Sequence, residues 1–109
     1  MPTQNSLRIA PGLLAVLMAA STSNSLASNA LASKNDCLGC HAAGTRLVGP
    51  AYREVAEKYA GQPDAIATLV KSIRNGSVGK WGDIPMPPHP KLSEADAKRL
   101  ATWILGGAK

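Results

Sequence analysis

Apolar residues recur at helical spacing in three stretches of this chain, and nowhere do they alternate over a convincing length in the two-residue rhythm of a strand. In the first stretch Tyr52, Val55, Ala56 and Tyr59 stand at i, i+3, i+4 and i+7, while Arg53, Glu54, Glu57 and Lys58 fall on the other side. Pro50 suits the first turn of this helix, and Gly61 suits the position just past its end. Asp64, following Pro63, opens a second helix with a predicted stripe of Ile66, Leu69, Val70 and Ile73. Lys71 and Arg74 lie towards its C-terminal end, where the helix dipole favours cations, and Asn75-Gly76 stops it. A third helix begins at Ser93-Glu94-Ala95-Asp96, a capping-box pattern with Asp where Glu or Gln is usual. Ala97, Leu100, Ala101 and Ile104 form its inner stripe, Trp103 and Leu105 lie beside it, and Gly106-Gly107 end it. A shorter apolar run, Ala30 to Ala32 within Ser28 to Asp36, predicts a leading helix. Between Ser77 and Pro90 glycine and proline are too dense for regular structure. The expected fold class is all-α.

The N-terminal segment changes how much of the chain enters that fold. One basic residue, Arg8, precedes an apolar run from Ile9 to Ala20, and small residues follow. That is the layout of a secretory signal peptide. Candidate cleavage points follow Ala27, Ala30 or Ala32, each with Ser or Ala two residues earlier. The run is shorter than the roughly 20 residues a membrane-spanning helix needs, and Pro11-Gly12 interrupts its start. The expected organisation is a cleavable leader at 1–27, with cleavage between 27 and 32, and a single domain at 28–109, without stable membrane insertion after cleavage. About 80 residues are near the lower limit for a self-sufficient apolar core.

The chemistry concentrates in Cys37-Leu38-Gly39-Cys40-His41. Two cysteines two residues apart, with histidine directly after the second, form the attachment signature of a c-type haem. Each thiol adds across one vinyl group to give a thioether, and the short loop aims His41 at the iron. A zinc site would need a second ligand pair, yet Cys37 and Cys40 are the only cysteines and His41 and His89 the only histidines. A thioredoxin-like motif would need a βαβ setting, and no strand pattern is near. One covalent haem c, with its iron, is therefore the expected cofactor. It would also supply the apolar bulk that so short a chain lacks, so the apo-chain is expected to fold poorly.

An iron that exchanges electrons without binding a substrate needs a sixth ligand. Past the leader the candidates are Met86 and His89. Met86 is expected: prolines at 85, 87 and 88 stiffen its backbone and hold a weakly bonding thioether in place. A methionine is more often a flexible core filler, but this one lies in a breaker-rich loop and off any helical stripe. His89 reads as an exposed loop residue. Histidine–methionine ligation raises the reduction potential relative to two imidazoles and leaves no open position for oxygen or peroxide.

From Asn35 to Trp103 the chain resembles the small class I bacterial cytochromes c of the c-551 type, also called c8. The resemblance rests on Cys37–His41, Val48-Gly-Pro-Ala-Tyr52, Ile73-Arg-Asn-Gly-Ser77, Gly79-Lys-Trp-Gly82, Ile84-Pro-Met-Pro-Pro88 and Thr102-Trp103-Ile104, in the same order. It implies four to five helices around one covalent haem, with the terminal helices crossing. It further implies thioethers at Cys37 and Cys40, axial ligands at His41 and Met86, a Pro50 carbonyl accepting from the imidazole N–H, and a Trp81 indole donating to a propionate. Three departures stand out. Ser72 replaces an arginine beside the inner propionate, which then lacks a cationic partner unless Arg74 or Lys71 reaches it; the potential is then expected to vary with pH nearer neutrality. His89 stands where asparagine usually follows the paired prolines, and Pro90-Lys91-Leu92 is one residue longer.

The expected function is single-electron transport in the periplasm, between an upstream donor and a terminal reductase, such as a nitrite reductase, or an oxidase. The alternative is a haem peroxidase or gas sensor with a labile methionine. The chain carries a formal charge of +5; loss of Arg8 leaves 11 basic against 7 acidic side chains, a net +4. A modestly basic surface suits docking on acidic redox partners. Nucleic-acid binding is not expected, because the basic residues are scattered and aromatic residues are few. A monomer that is a carrier and not an enzyme is the expected form.

Overall fold

The computed structural model of the protein describes residues 19–109. Its elements in chain order are α1 (Ala19–Lys34), a 3₁₀ turn (Cys37–Gly39), α2 (Tyr52–Tyr59), α3 (Ala65–Asn75) and α4 (Glu94–Leu105). No strand occurs among the described residues, so the architecture is all-α.

α4 is the element the others pack on: α1, α2 and α3 each lie against it. Its inner face, Ala97, Leu100, Ala101 and Ile104, is buried as its periodicity requires, with Trp103 buried beside it. Ser93 caps it, its hydroxyl accepting from the Asp96 amide at 3.1 Å. That is worth about 1 kcal/mol at a helix N-terminus. The alanines at 97 and 101 leave no accessible surface and let a neighbouring backbone approach closely. Ala32 of α1, fully buried, joins the same core.

α2 buries Tyr52, Val55 and Tyr59. Pro50 lies outside this helix and not in its first turn, because Ala51 takes an extended conformation (φ −61°, ψ 144°) as the cap. Alanine has no acceptor side chain, so only the returning half of a capping box forms, Glu54 accepting from the Ala51 amide at 3.3 Å. In α3 the buried face is Ala65, Leu69 and Ile73, at i, i+4 and i+8. Ile66, expected in that stripe, is 38% exposed. One residue turns the helix by about 100°, and with Ala65 inward Ile66 falls at the margin. Gly76 ends α3 at φ +78°.

The leading helix is longer than its apolar run suggested: α1 starts at Ala19 and passes without a break through Ala27, Ala30 and Ala32. The Ser25 hydroxyl donates to the carbonyl of Lys109, tying α1 to the last residue. The expected leader at 1–27 falls for the most part outside the described residues. No helix among them is long and apolar enough to cross a membrane.

Candidate haem-binding site

The helices leave a cavity of about 580 Å³ among α2, α3, α4 and the two long loops, within the usual range for a small-molecule or cofactor pocket. Core residues line it directly: Val55, Tyr59, Leu69, Ile73, Leu100 and Ile104. The space is therefore part of the core and is not closed by protein alone. All six residues singled out from the sequence, Cys37, Cys40, His41, Pro50, Trp81 and Met86, border this one cavity.

One wall is built by local geometry. Asp36 adopts a left-handed conformation (φ +60°), which starts the tight turn through Cys37. The His41 amide then donates to the Cys37 carbonyl at 2.9 Å, placing both thiols and the imidazole on one short loop. The next ten residues, 42–51, run to the start of α2, where the first amides of any helix lack partners. Here they find them in that loop: Tyr52 donates to the Ala42 carbonyl at 2.9 Å and Arg53 to the Ala43 carbonyl at 3.0 Å. The helix end thus clamps the segment after His41.

His41 is oriented by Pro50. Its Nδ1 lies 2.8 Å from the Pro50 carbonyl oxygen. A carbonyl can only accept, so Nδ1 carries the proton and Nε2 keeps its lone pair. Tyr52 stacks on the imidazole, with ring centroids 5.1 Å apart and planes 16° from parallel. Tyr52 in turn meets Trp103 edge-on at 5.4 Å. Gly49 closes this wall so tightly that a Cβ there would enter the His41 ring. Burial pushes the Cys37 thiol up from its ordinary value, a backbone hydrogen bond partly offsets this, and the Asp36 charge adds to the rise.

The opposite wall is the segment 77–89. Ser77 and Met86 form an isolated antiparallel bridge, with amide-to-carbonyl distances of 3.1 and 2.8 Å. This is a piece of regular structure that the glycine and proline density did not suggest. The His89 amide donates to the Ile73 carbonyl at 3.0 Å, tying the segment to α3. Trp81 is half-buried; Lys58 lies over its ring at 4.4 Å, and Arg46 donates to its carbonyl at 2.7 Å. His89, read as an exposed loop residue, is instead partly buried and borders the cavity, and its Nδ1 is buried with no hydrogen-bond partner among the described residues.

Sequence periodicity placed Tyr52 in the core but gave no sign that it stacks on His41. Its position two residues past the proline that holds His41 is the only signal available. Lys58 and Arg46, which fix the Trp81 segment, carried no signal at all.

An apolar cavity continuous with the core, with two cysteines and an oriented imidazole on one wall, fits a covalently attached, largely apolar macrocycle. The chain belongs to the cytochrome c family, whose profile matches residues 26–108. Cytochrome c-552 of Nitrosomonas europaea is 53% identical over 75 residues, 69% of this chain and 73% of that protein. Cytochrome c-551 of Allochromatium vinosum is 47% identical over 83 residues, 76% of this chain and 88% of that protein. The crystal structure of wild-type Nitrosomonas europaea cytochrome c552 superposes with a TM-score of 0.70 at 51% identity, over 72% of this chain and 96% of that one. The protein is thus a small class I cytochrome c of the c-551 type, and its cofactor is covalent haem c. Cys37 and Cys40, the only cysteines, are present for thioether attachment.

Proposed function

We propose that the protein is a periplasmic single-electron carrier whose haem iron is held between His41 and Met86. The observation that carries this reading is the pairing of an oriented imidazole with a braced thioether around one cavity. Haem c supplies a one-electron iron couple, and the residues do the rest. Pro50 fixes the His41 tautomer and strengthens it as a donor. The Ser77 bridge holds the Met86 backbone, and Trp81 offers an indole N–H at the cavity edge. A filled sixth position excludes peroxide and oxygen, which favours a carrier over an enzyme.

Docking is proposed at the cavity mouth, where Leu47 (49%), Val48 (53%) and Ile84 (67%) are exposed. Short-lived encounters with a donor and with a terminal reductase, such as a nitrite reductase, or an oxidase need only a small apolar patch within a basic surface. The protein acts as a monomer. Export uses residues 1–27 as leader. Ser28 and Ala32 are both buried, which supports cleavage after Ala27 over the later positions.

The test is Met86→Leu in the haem-loaded protein. The oxidised wild type should show the weak red absorption of sulfur–iron charge transfer. The variant should lose it, bind carbon monoxide and shift to a lower midpoint potential. An unchanged spectrum and midpoint would remove Met86 from the iron, and rapid carbon monoxide binding by the wild type would favour a gas sensor or peroxidase.

A further inference from the structure

We propose that Lys80, seated on Ser72, is the side chain that neutralises one haem carboxylate and thereby helps set the potential of the iron. The inference rests on the haem assignment. Haem c carries two carboxylates on an otherwise apolar ring, and a carboxylate drawn towards an apolar cavity needs a cation or hydrogen-bond donors.

Two basic side chains line the cavity, Arg46 and Lys80. Arg46 is already engaged, with Glu54 at 3.4 Å and the Trp81 carbonyl at 2.7 Å. Lys80 is not: its Nζ meets the neutral Ser72 hydroxyl at 3.2 Å, and it makes no ion pair among the described residues. An ammonium has three donors, so two stay available beside the cavity. The pair spans two walls, Ser72 on α3 and Lys80 on the loop that carries Trp81. Lys58 fixes that loop by donating to the Lys80 carbonyl at 3.3 Å.

The cations expected to compensate for Ser72 do not reach the cavity. Arg74 donates to the Leu92 carbonyl at 3.1 Å, and Lys71 is exposed and does not line the space. The acidic side chains that do line it, Asp36 and Asp83, repel a carboxylate, and His89 borders it from the end of the segment that carries Lys80. Lys80 is therefore the uncommitted positive charge at this edge.

A cation close to the iron favours the reduced, less positive state and so raises the midpoint. Lys80→Met, Lys80→Arg and Lys71→Met, each haem-loaded, are compared by redox titration at pH 7 in low and in high salt. Lys80→Met and Lys71→Met remove the same charge, so Lys71→Met reports the generic surface effect. Both lysines are exposed, and only Lys80 borders the cavity. Lys80→Met should lower the midpoint at least twice as far as Lys71→Met and keep most of that shift in high salt, which screens charges in direct contact less than those more than a Debye length apart. Lys80→Arg should restore the wild-type value. Equal shifts for the two methionine variants, or a Lys80→Met shift that vanishes with salt, would overturn the proposal. The red absorption band is recorded for each protein: its absence from the wild type would defeat the Met86 assignment, while the charge comparison would still decide the role of Lys80.

Discussion

The two walls of the haem cavity are built on different principles. From Asp36 to Arg53 the backbone hydrogen bonds, and the one that orients His41, are local: Cys37 to His41, His41 to Pro50, and Ala42 and Ala43 to the start of α2. The wall from Ser77 to His89 borrows its partners from afar. It leans on Ile73 of α3, on Lys58 of α2 and on Arg46 of the other loop, and it closes on itself through one bridge. A wall made of short loops can form early and hold its shape alone. A wall made of distant contacts depends on the rest of the fold, and it should open first under stress.

The sharpest way to break this comparison is at glycine. Gly76 adopts φ +78°, and a Cβ there would lie 2.7 Å from the Met86 carbonyl oxygen and 3.1 Å from the Pro88 nitrogen. Neither atom can retreat without undoing the Ser77–Met86 bridge. Gly76→Ala is expected to cost about 3 kcal/mol, from backbone strain and this overlap together. Gly39, inside the haem attachment motif, has nothing within 4 Å of its Cβ position. Gly39→Ala should change stability by less than about 0.5 kcal/mol. Denaturant titrations of the two variants measure both, and if Met86 ligates the iron as proposed, the red sulfur–iron band of Gly76→Ala should disappear before helicity does. Equal effects at the two glycines would mean that the walls are equally robust.

The same contrast explains what could be read in advance. The helices α2 and α4 were legible because their stripes and end signals agree. The attachment motif was legible because its chemistry is local in sequence. The start of α1 was not, since the Ser-, Ala- and Asn-rich run after Ala19 contains no breaker to mark a boundary. Ile66 was misplaced because a stripe that includes it fits the spacing as well as one centred on Ala65, and packing on α4 decides between them. A single bridged pair such as Ser77–Met86 leaves no alternation to detect. The cation pair around Trp81 is long-range and leaves no pattern either.

A second, smaller effect tests the attachment wall through pH. Burial is the main cause that pushes the Tyr52 phenol well above its ordinary value. In the unfolded chain the phenol ionises near pH 10. Above that value unfolding releases a proton that the folded state retains, so stability falls as pH rises, by up to about 1.4 kcal/mol per pH unit. Tyr52→Phe removes this loss. Between pH 8 and pH 11 the variant should lose about 1 kcal/mol less than the wild type in denaturant titrations. Parallel losses would show that Tyr52 ionises freely while it still stacks on His41.

The smallest expected effect belongs to Lys58. Its ammonium lies 4.4 Å from the centre of the Trp81 ring and also donates to the Lys80 carbonyl. Exposed cation–π contacts contribute about 0.5–1 kcal/mol, so Lys58→Met should lower global stability by less than about 1 kcal/mol. Its local effect should be larger than its global one. With Lys58 gone, the Trp81 segment keeps the Arg46 and Ser72 contacts, and its amides should exchange with solvent faster while those of His41 and Tyr52 do not change. Hydrogen exchange followed residue by residue separates these outcomes. Faster exchange on both walls would mean that they are coupled through α2, and the division between a self-sufficient wall and a borrowed one would fail at the helix they share.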